Sequence, residues 1–431
     1  MSTVALITVF LGVLTTKIIA FYGGVESIGV FSLYQKTSTI IVSVLSMGMM
    51  TVIVQRISVS ETIESVAKIL HSIKYLLVLQ VSAGIIIALY FSEYITLFLF
   101  NSELYSQYST SVKIVIIMAT IILISKSMIS ILSGRIEIRK IAIINITVSS
   151  LTLIAAYFLI NHNEIGLSLI YGSGSIVGMI IGYYLIKKVY ADEIDIKIER
   201  TNIAKTLRSA PISKWLFLYP LVTSSVLLSI QVIIGKFYGI ESLGLYAAVT
   251  MVETAFLAIV MAAMNTYFLP SLGNIKKTND KIDFANKVLF MLIVITILFV
   301  LFVALFAKYI LYILFSEQFQ GAYLILSIQC LSLIIGVHHW VFANYLFHND
   351  QYKTYFFLDC VWSVLIIPSI YWISINNYPL VYIAWTYFVM TLISYLLYQT
   401  TIVMNYGKRM IDKRNVLTSF GSLLVIIYII L

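Results

Sequence analysis

The chain alternates long apolar runs with short polar gaps from one end to the other. Twelve runs are long enough to cross a bilayer, near residues 2–22, 30–54, 71–91, 111–133, 141–160, 167–186, 211–238, 245–270, 288–308, 322–347, 355–375 and 380–404. About 20 apolar residues at 1.5 Å rise match the roughly 30 Å hydrocarbon core of a membrane. Runs this long and uniform exclude barrel strands, and backbone groups in lipid must be satisfied within the segment. The predicted class is therefore an all-α membrane protein with about 12 transmembrane helices. The first run has no basic stretch before it and no small-residue cleavage site, and it carries Lys17, so it reads as a retained helix rather than a signal peptide. A further run, 416–431, spans about 24 Å as a helix and is expected as either an incomplete thirteenth span or an interfacial segment.

Composition removes the soluble alternatives. With 61% hydrophobic residues, 11% charged residues and a mean hydropathy of +0.99, little chain is left for a large catalytic domain. The net charge of +9 does not point to nucleic acid, because Lys and Arg occupy the gaps between runs rather than a clustered basic domain. The gaps after even-numbered runs hold 20 of the 28 basic residues and the gaps after odd-numbered runs hold none. This bias puts the N-terminus, the even gaps and the region beyond residue 404 in the cytoplasm. The longest cytoplasmic gap, Lys187 to Ala210, falls near mid-chain and serves as a linker between lobes. The expected division is 1–195 and 196–405, six helices each, followed by a cytoplasmic segment and short apolar tail over 406–431. Cys330 and Cys360 lie within apolar runs and read as core residues, neither disulfide nor metal site.

The chain also repeats itself at an offset of about 215 residues. FYGGVESIG (Phe21 to Gly29) recurs as FYGIESLG (Phe237 to Gly244), and YITLFLFNSE (Tyr94 to Glu103) as YILYILFSE (Tyr309 to Glu317). Each pair occupies the same place in its half, the outer loop after the first or third helix. Six spans per half make the halves parallel repeats, an arrangement that favours two six-helix lobes around a central cleft open alternately to either side.

The six-plus-six layout, the segments GGVESIGVFSLYQ and GIESLGLYAAV, the ending YFLPSLG (Tyr267 to Gly273) and ILFSEQF (Ile313 to Phe319) resemble the polysaccharide-transport branch of the multidrug/oligosaccharidyl-lipid/polysaccharide (MOP) flippase superfamily, nearest to its O-antigen translocases. The resemblance covers essentially residues 1–405. It implies a bacterial inner-membrane protein that moves undecaprenyl-diphosphate-linked oligosaccharide from the inner to the outer leaflet by alternating access, coupled to H+ or Na+. It also implies membrane lipids and other envelope-glycan assembly proteins as partners, and no cofactor beyond the coupling ion.

Charged residues inside apolar runs are costly, about 2.5–3.5 kcal/mol each near the bilayer centre, so they are the functional candidates. Lys17, Lys36 and Lys126 lie inside first-half spans, and Lys214 stands about one turn into the seventh, where it can snorkel. A diphosphate crossing hydrocarbon unaided faces a barrier of tens of kcal/mol, and lysine is a compact, geometrically undemanding partner that holds a phosphate and lets it go. These four are the candidate substrate-binding residues. Glu253 and Asp359 are candidate ion-coupling groups, because burial favours the protonated carboxyl. The resemblance adds that helix 8 of the family commonly carries an acid near the place of Glu253. For both acids a structural role, a salt bridge or contact with interfacial water, stays open. His338 and His339 point about 100° apart, so at most one faces a cleft; they are core histidines or pH sensors, without metal-ligand spacing. Gly174, Gly178 and Gly182 at four-residue steps mark a close helix approach, and Pro220 and Pro368 mark helix bends.

Two rival functions remain. A multidrug cation antiporter of the same superfamily would favour an acidic, aromatic cavity, against which the first-half lysines argue. A membrane O-antigen polymerase would need catalytic residues on substantial outer loops, and the longest outer gap is about 20 residues. Phosphate-binding loops, H-E-x-x-H and G-x-S-x-G motifs do not occur, so the chain is not expected to be an enzyme.

Overall fold

The computed structural model describes residues 2–60, 62–101, 104–191, 214–349, 351–407 and 411–430. These form thirteen α-helices and no strand among the described residues. They are α1 (Ser2–Ser46), α2 (Met49–Val59), α3 (Ile63–Ile86), α4 (Ser92–Leu99), α5 (Tyr105–Gly134), α6 (Ile138–Leu159), α7 (Asn163–Val189), α8 (Lys214–Asn274), α9 (Thr278–Leu314), α10 (Tyr323–His348), α11 (Tyr352–Ile375), α12 (Val381–Tyr406) and α13 (Lys413–Ile430). A π-helical turn, Ile87–Phe91, joins α3 to α4 within one continuous span. Ten described segments are long and apolar enough to cross a membrane, and three of them, Thr3–Ser46, Ile138–Val189 and Leu218–Ala262, each cover most of two of the expected runs. The chain is a multi-pass, all-helical membrane protein.

Contacts divide the chain into two compact units, one comprising Thr3–Gly23 and Val30–Leu228, the other Gly24–Gly29 and Ser229–Leu431. Most of the predicted linker, from residue 192 to 210, and the expected lobe boundary within it lie outside the described residues.

In the first unit α7 packs on α5 and α6, and α2 packs on α5. The stepped glycines of α7 make this possible. A Cβ on Gly174 would overlap the Val148 carbonyl oxygen of α6, one on Gly178 would lie 2.8 Å from Ser125 Oγ, and one on Gly182 would lie 2.8 Å from Met128 Cβ of α5. One end is closed by an apolar cluster of Ile53, Ile57, Ile73, Leu132, Ile144 and Tyr190. Tyr190 donates its phenol to the Ile131 carbonyl at 2.9 Å, and the Arg135 guanidinium lies 4.6 Å from its ring centre, a cation at the C-terminus of α5 where the helix dipole favours it.

The second unit is built around α10, of whose 26 residues 18 are buried. It packs on α9 and α12, with α11 against α12. Cys330 is buried and Cys360 half-buried, and both are free thiols. The tail is a helix of 18 residues, longer than its apolar run because it starts at Lys413; at about 27 Å it approaches the thickness of the hydrocarbon core. It packs on α9 and α10 through Asn415, Ser419, Leu423 and Ile426, and Asn415 Nδ2 donates to the Asn286 carbonyl at 3.1 Å.

The repeated segments are where the structure departs most from expectation. Both were expected as loops, yet helix runs through each and is broken at a single glycine. Gly24 takes φ 73° and ψ −167° within α1, and Gly239 takes φ 86° and ψ 164° within α8, a left-handed φ open to glycine at little cost. One residue outside the helical region redirects the chain while the flanking carbonyls and amides stay in helix. The copies also pack reciprocally. A Cβ on Gly29 would lie 2.8 Å from the Ile240 carbonyl oxygen, and one on Gly244 would overlap the Val25 carbonyl oxygen. Residues 25 and 240, like 29 and 244, occupy equivalent places in the repeat, so the two segments meet face to face as near-twofold partners.

Candidate functional site

The polar centres of the second unit form two clusters along α10. The first surrounds Glu253, which sits 14 residues past the Gly239 break, about 21 Å along α8. Its side chain is buried, 6% exposed, and Gln329 Nε2 donates to Glu253 Oε2 at 2.9 Å. Tyr246, two turns earlier on the same face of α8, Cys330 and Tyr387 lie near its carboxylate. An isolated carboxylate in such a setting would be expensive, and the amide donor offsets part of that cost.

The second cluster lies ten residues further along α10, about 15 Å away. His339 Nε2 pairs with Asp359 Oδ1 of α11 at 2.8 Å, and the Tyr398 hydroxyl of α12 donates to the same oxygen at 2.7 Å. The Tyr398 ring stands edge-on to the imidazole with 4.4 Å between centres. Three helices thus converge on one carboxylate whose side chain is 12% exposed. The 100° turn between adjacent positions sends His338 elsewhere. It is buried, hydrogen-bonds Ser419 of α13 at 2.8 Å through Nε2, and meets the Tyr395 ring edge-on.

The lysines of the first half are arranged differently. Lys17 on α1 is exposed and shares a helix face with the exposed Phe10 and Phe21. Lys36, also on α1, is half-buried and engaged with a neighbouring group. Lys126 on α5 is exposed. Lys214 is the first residue of α8, and its side chain lies outside the described residues. The structure thus brings Glu253 together with Gln329, and Asp359 with His339. It does not gather the lysines into one described constellation. Gln329, Tyr398 and Ser419 are the partners that the sequence does not single out. Among the described residues no group of three or more His, Cys, Asp or Glu is placed to hold a metal ion.

The second unit thus holds buried, partnered charges within long apolar helices. An inward-facing multidrug resistance MATE-family transporter of the MOP superfamily is similar at a TM-score of 0.72 and 14% identity, over 94% of this chain and 95% of that one. The lipid II flippase MurJ, in an inward closed conformation, is similar at 0.71 and 16% identity, over 99% and 98%. An outward-facing MATE transporter is similar at 0.65 and 15% identity, over 99% and 95%. The fold is that of MOP-superfamily transporters. Residues 1–276 match the polysaccharide biosynthesis protein family, and the chain belongs to it. No curated protein sequence matches the chain.

Proposed function

We propose that this protein flips undecaprenyl-diphosphate-linked O-antigen oligosaccharide units from the cytoplasmic to the periplasmic leaflet of a bacterial inner membrane by alternating access, driven by H+ or Na+. The observation that carries the reading is membership of a polysaccharide biosynthesis family in a chain with a MOP-transporter fold. A glycan has to leave the cytoplasm, and its diphosphate and hydroxyls cannot cross hydrocarbon without a solvated path. In this reading Lys126, with Lys17 and Lys36, meets the diphosphate, and Lys214 assists at the cytoplasmic end. Lysine's compact charge suits a ligand that must be released after each crossing. The basic bias of the even gaps supports a cytoplasmic N-terminus.

Glu253 is the proposed coupling group. Loading it with a proton or Na+ removes a buried negative charge, and unloading restores it, so the gradient biases whichever conformation lets the ion escape. Asp359 with His339 is the second candidate, its carboxylate and imidazole able to share one proton.

The test is to delete the gene and identify chemically what accumulates on the inner leaflet. Build-up of an undecaprenyl-diphosphate oligosaccharide, relieved by restoring the gene, is the expected result. Unchanged lipid pools with lost efflux of cationic dyes would instead establish a multidrug antiporter, the reading that the equal likeness to MATE transporters keeps alive.

A further inference from the structure

The start of α13 meets the first turns of α9 around a cavity of about 580 Å³. Lys287 enters it from α9, and Lys413 and Arg414 enter it from α13. Two acids share the cavity: Asp412 Oδ1 accepts the Arg414 backbone N–H at 2.9 Å, capping α13, and Asp283 is engaged with a neighbouring group, so the three cations outnumber the two carboxylates and the lining stays net positive. The Arg414 guanidinium lies 3.9 Å from the Phe290 ring centre, a contact that parks it at the rim of the cavity.

What lies beyond the cations decides the ligand. On α9 the exposed positions after Lys287 include Met291, Val294, Ile295, Leu298 and Phe302, one apolar stripe at helical spacing. On α13 the exposed positions after Arg414 include Leu417, Leu424 and Tyr428, a second apolar stripe running the same way along its helix. The opposite face of α13 carries the buried Asn415, Ser419, Leu423 and Ile426, so the apolar stripe is not the one that holds the helix in place. Each helix thus presents a cationic head followed by an apolar track about 20 Å long. That is the complement of an amphiphile with an anionic head and acyl chains, and not of a free anion. We propose that this cavity binds the phosphate headgroup of an anionic phospholipid whose chains lie along α9 and α13. The site is separate from the residues assigned to transport and does not depend on that assignment.

The protein would be purified in mild detergent, titrated with dioleoyl-phosphatidylglycerol, and scored for retained lipid by native mass spectrometry. Dioleoyl-phosphatidylcholine and inorganic phosphate alone form the comparison arms. Each cation near a membrane anion strengthens binding appreciably, so Lys287→Gln, Lys413→Gln and Arg414→Gln combined should weaken phosphatidylglycerol retention roughly 10- to 100-fold. The charge-keeping Lys287→Arg with Lys413→Arg should retain it. Phosphatidylglycerol should outcompete phosphatidylcholine on the wild-type protein, a comparison that stands whatever the yield of the triple variant. Millimolar phosphate should not displace the lipid. Equal retention of the two lipids, undiminished retention by a folded triple variant, or displacement by phosphate alone would each overturn the proposal.

Discussion

In the first unit the buried polar side chains are hydroxyls, with Gln80 the single exception among the described residues; in the second they include Glu253, Gln231, Gln329, His338 and Asn415. The hydroxyls of the first unit largely bond back into their own helices, as Thr96 does to the Ser92 carbonyl and Ser127 to the Leu123 carbonyl. Such bonds satisfy a polar atom without tying helices together. The second unit has such bonds too, as Ser327 makes to the Tyr323 carbonyl, but adds others that link α8 to α10, α10 to α11 and α13, and α12 to α11. Two halves of one repeated chain, alike down to the glycine at which each hairpin bends, have therefore diverged in the chemistry of their interiors. The proposed function assigns the lysine-bearing half to the anionic substrate and the carboxylate-bearing half to the ion.

That division can be broken most forcefully at Glu253. Glu253→Gln keeps the shape and the contact with Gln329 but cannot load or release an ion. Glycolipid transport should fall at least tenfold, as expected for loss of a coupling group, and the residual rate should no longer respond to pH or sodium gradients. A variant that responds like the wild type removes Glu253 from coupling. A smaller effect is expected from the other half. Removing the charges of Lys17, Lys36 and Lys126 together should raise the substrate concentration needed for half-maximal transport about tenfold while the gradient response persists. Unchanged transport at normal protein levels would take the substrate role from these lysines.

The smallest effect addresses what the halves share. Gly244→Val forces a side chain into the Val25 carbonyl and should lower stability by about 1–3 kcal/mol, read as a fall in melting temperature. Gly421→Val, where open space surrounds the glycine, should leave melting nearly unchanged. Equal behaviour of the two would mean that the close contact between the repeated segments is not a packing constraint.

How much of this was legible in the sequence follows from which interactions are local. Run lengths gave the helices, because satisfying backbone groups in lipid leaves little choice. The four-residue spacing of Gly174, Gly178 and Gly182 announced the close approach of α7, since helical periodicity alone puts them on one face. The bends at Gly24 and Gly239 were expected as loops, because glycine and polar residues signal a break without saying how short it is. Glu253 and Asp359 stood out as charges within apolar runs. Their partners did not: Gln329 is 76 positions from Glu253, and Tyr398 is one tyrosine among 30. Only tertiary packing selects them. The 100° between His338 and His339 correctly separates their surroundings, but that one meets Ser419 of the last helix and the other Asp359 depends on helices brought together from distant parts of the chain.

The most direct measurement is made with the purified protein alone in liposomes that hold a fluorescent undecaprenyl-diphosphate oligosaccharide in both leaflets, with a membrane-impermeant reagent outside to destroy the exposed label. The account predicts that an imposed ion gradient brings the inner-leaflet label within reach of the reagent, and that vesicles with the Glu253→Gln protein do so at least tenfold more slowly. Protection of the inner-leaflet pool by the wild-type protein, equal to that in protein-free vesicles, would contradict it.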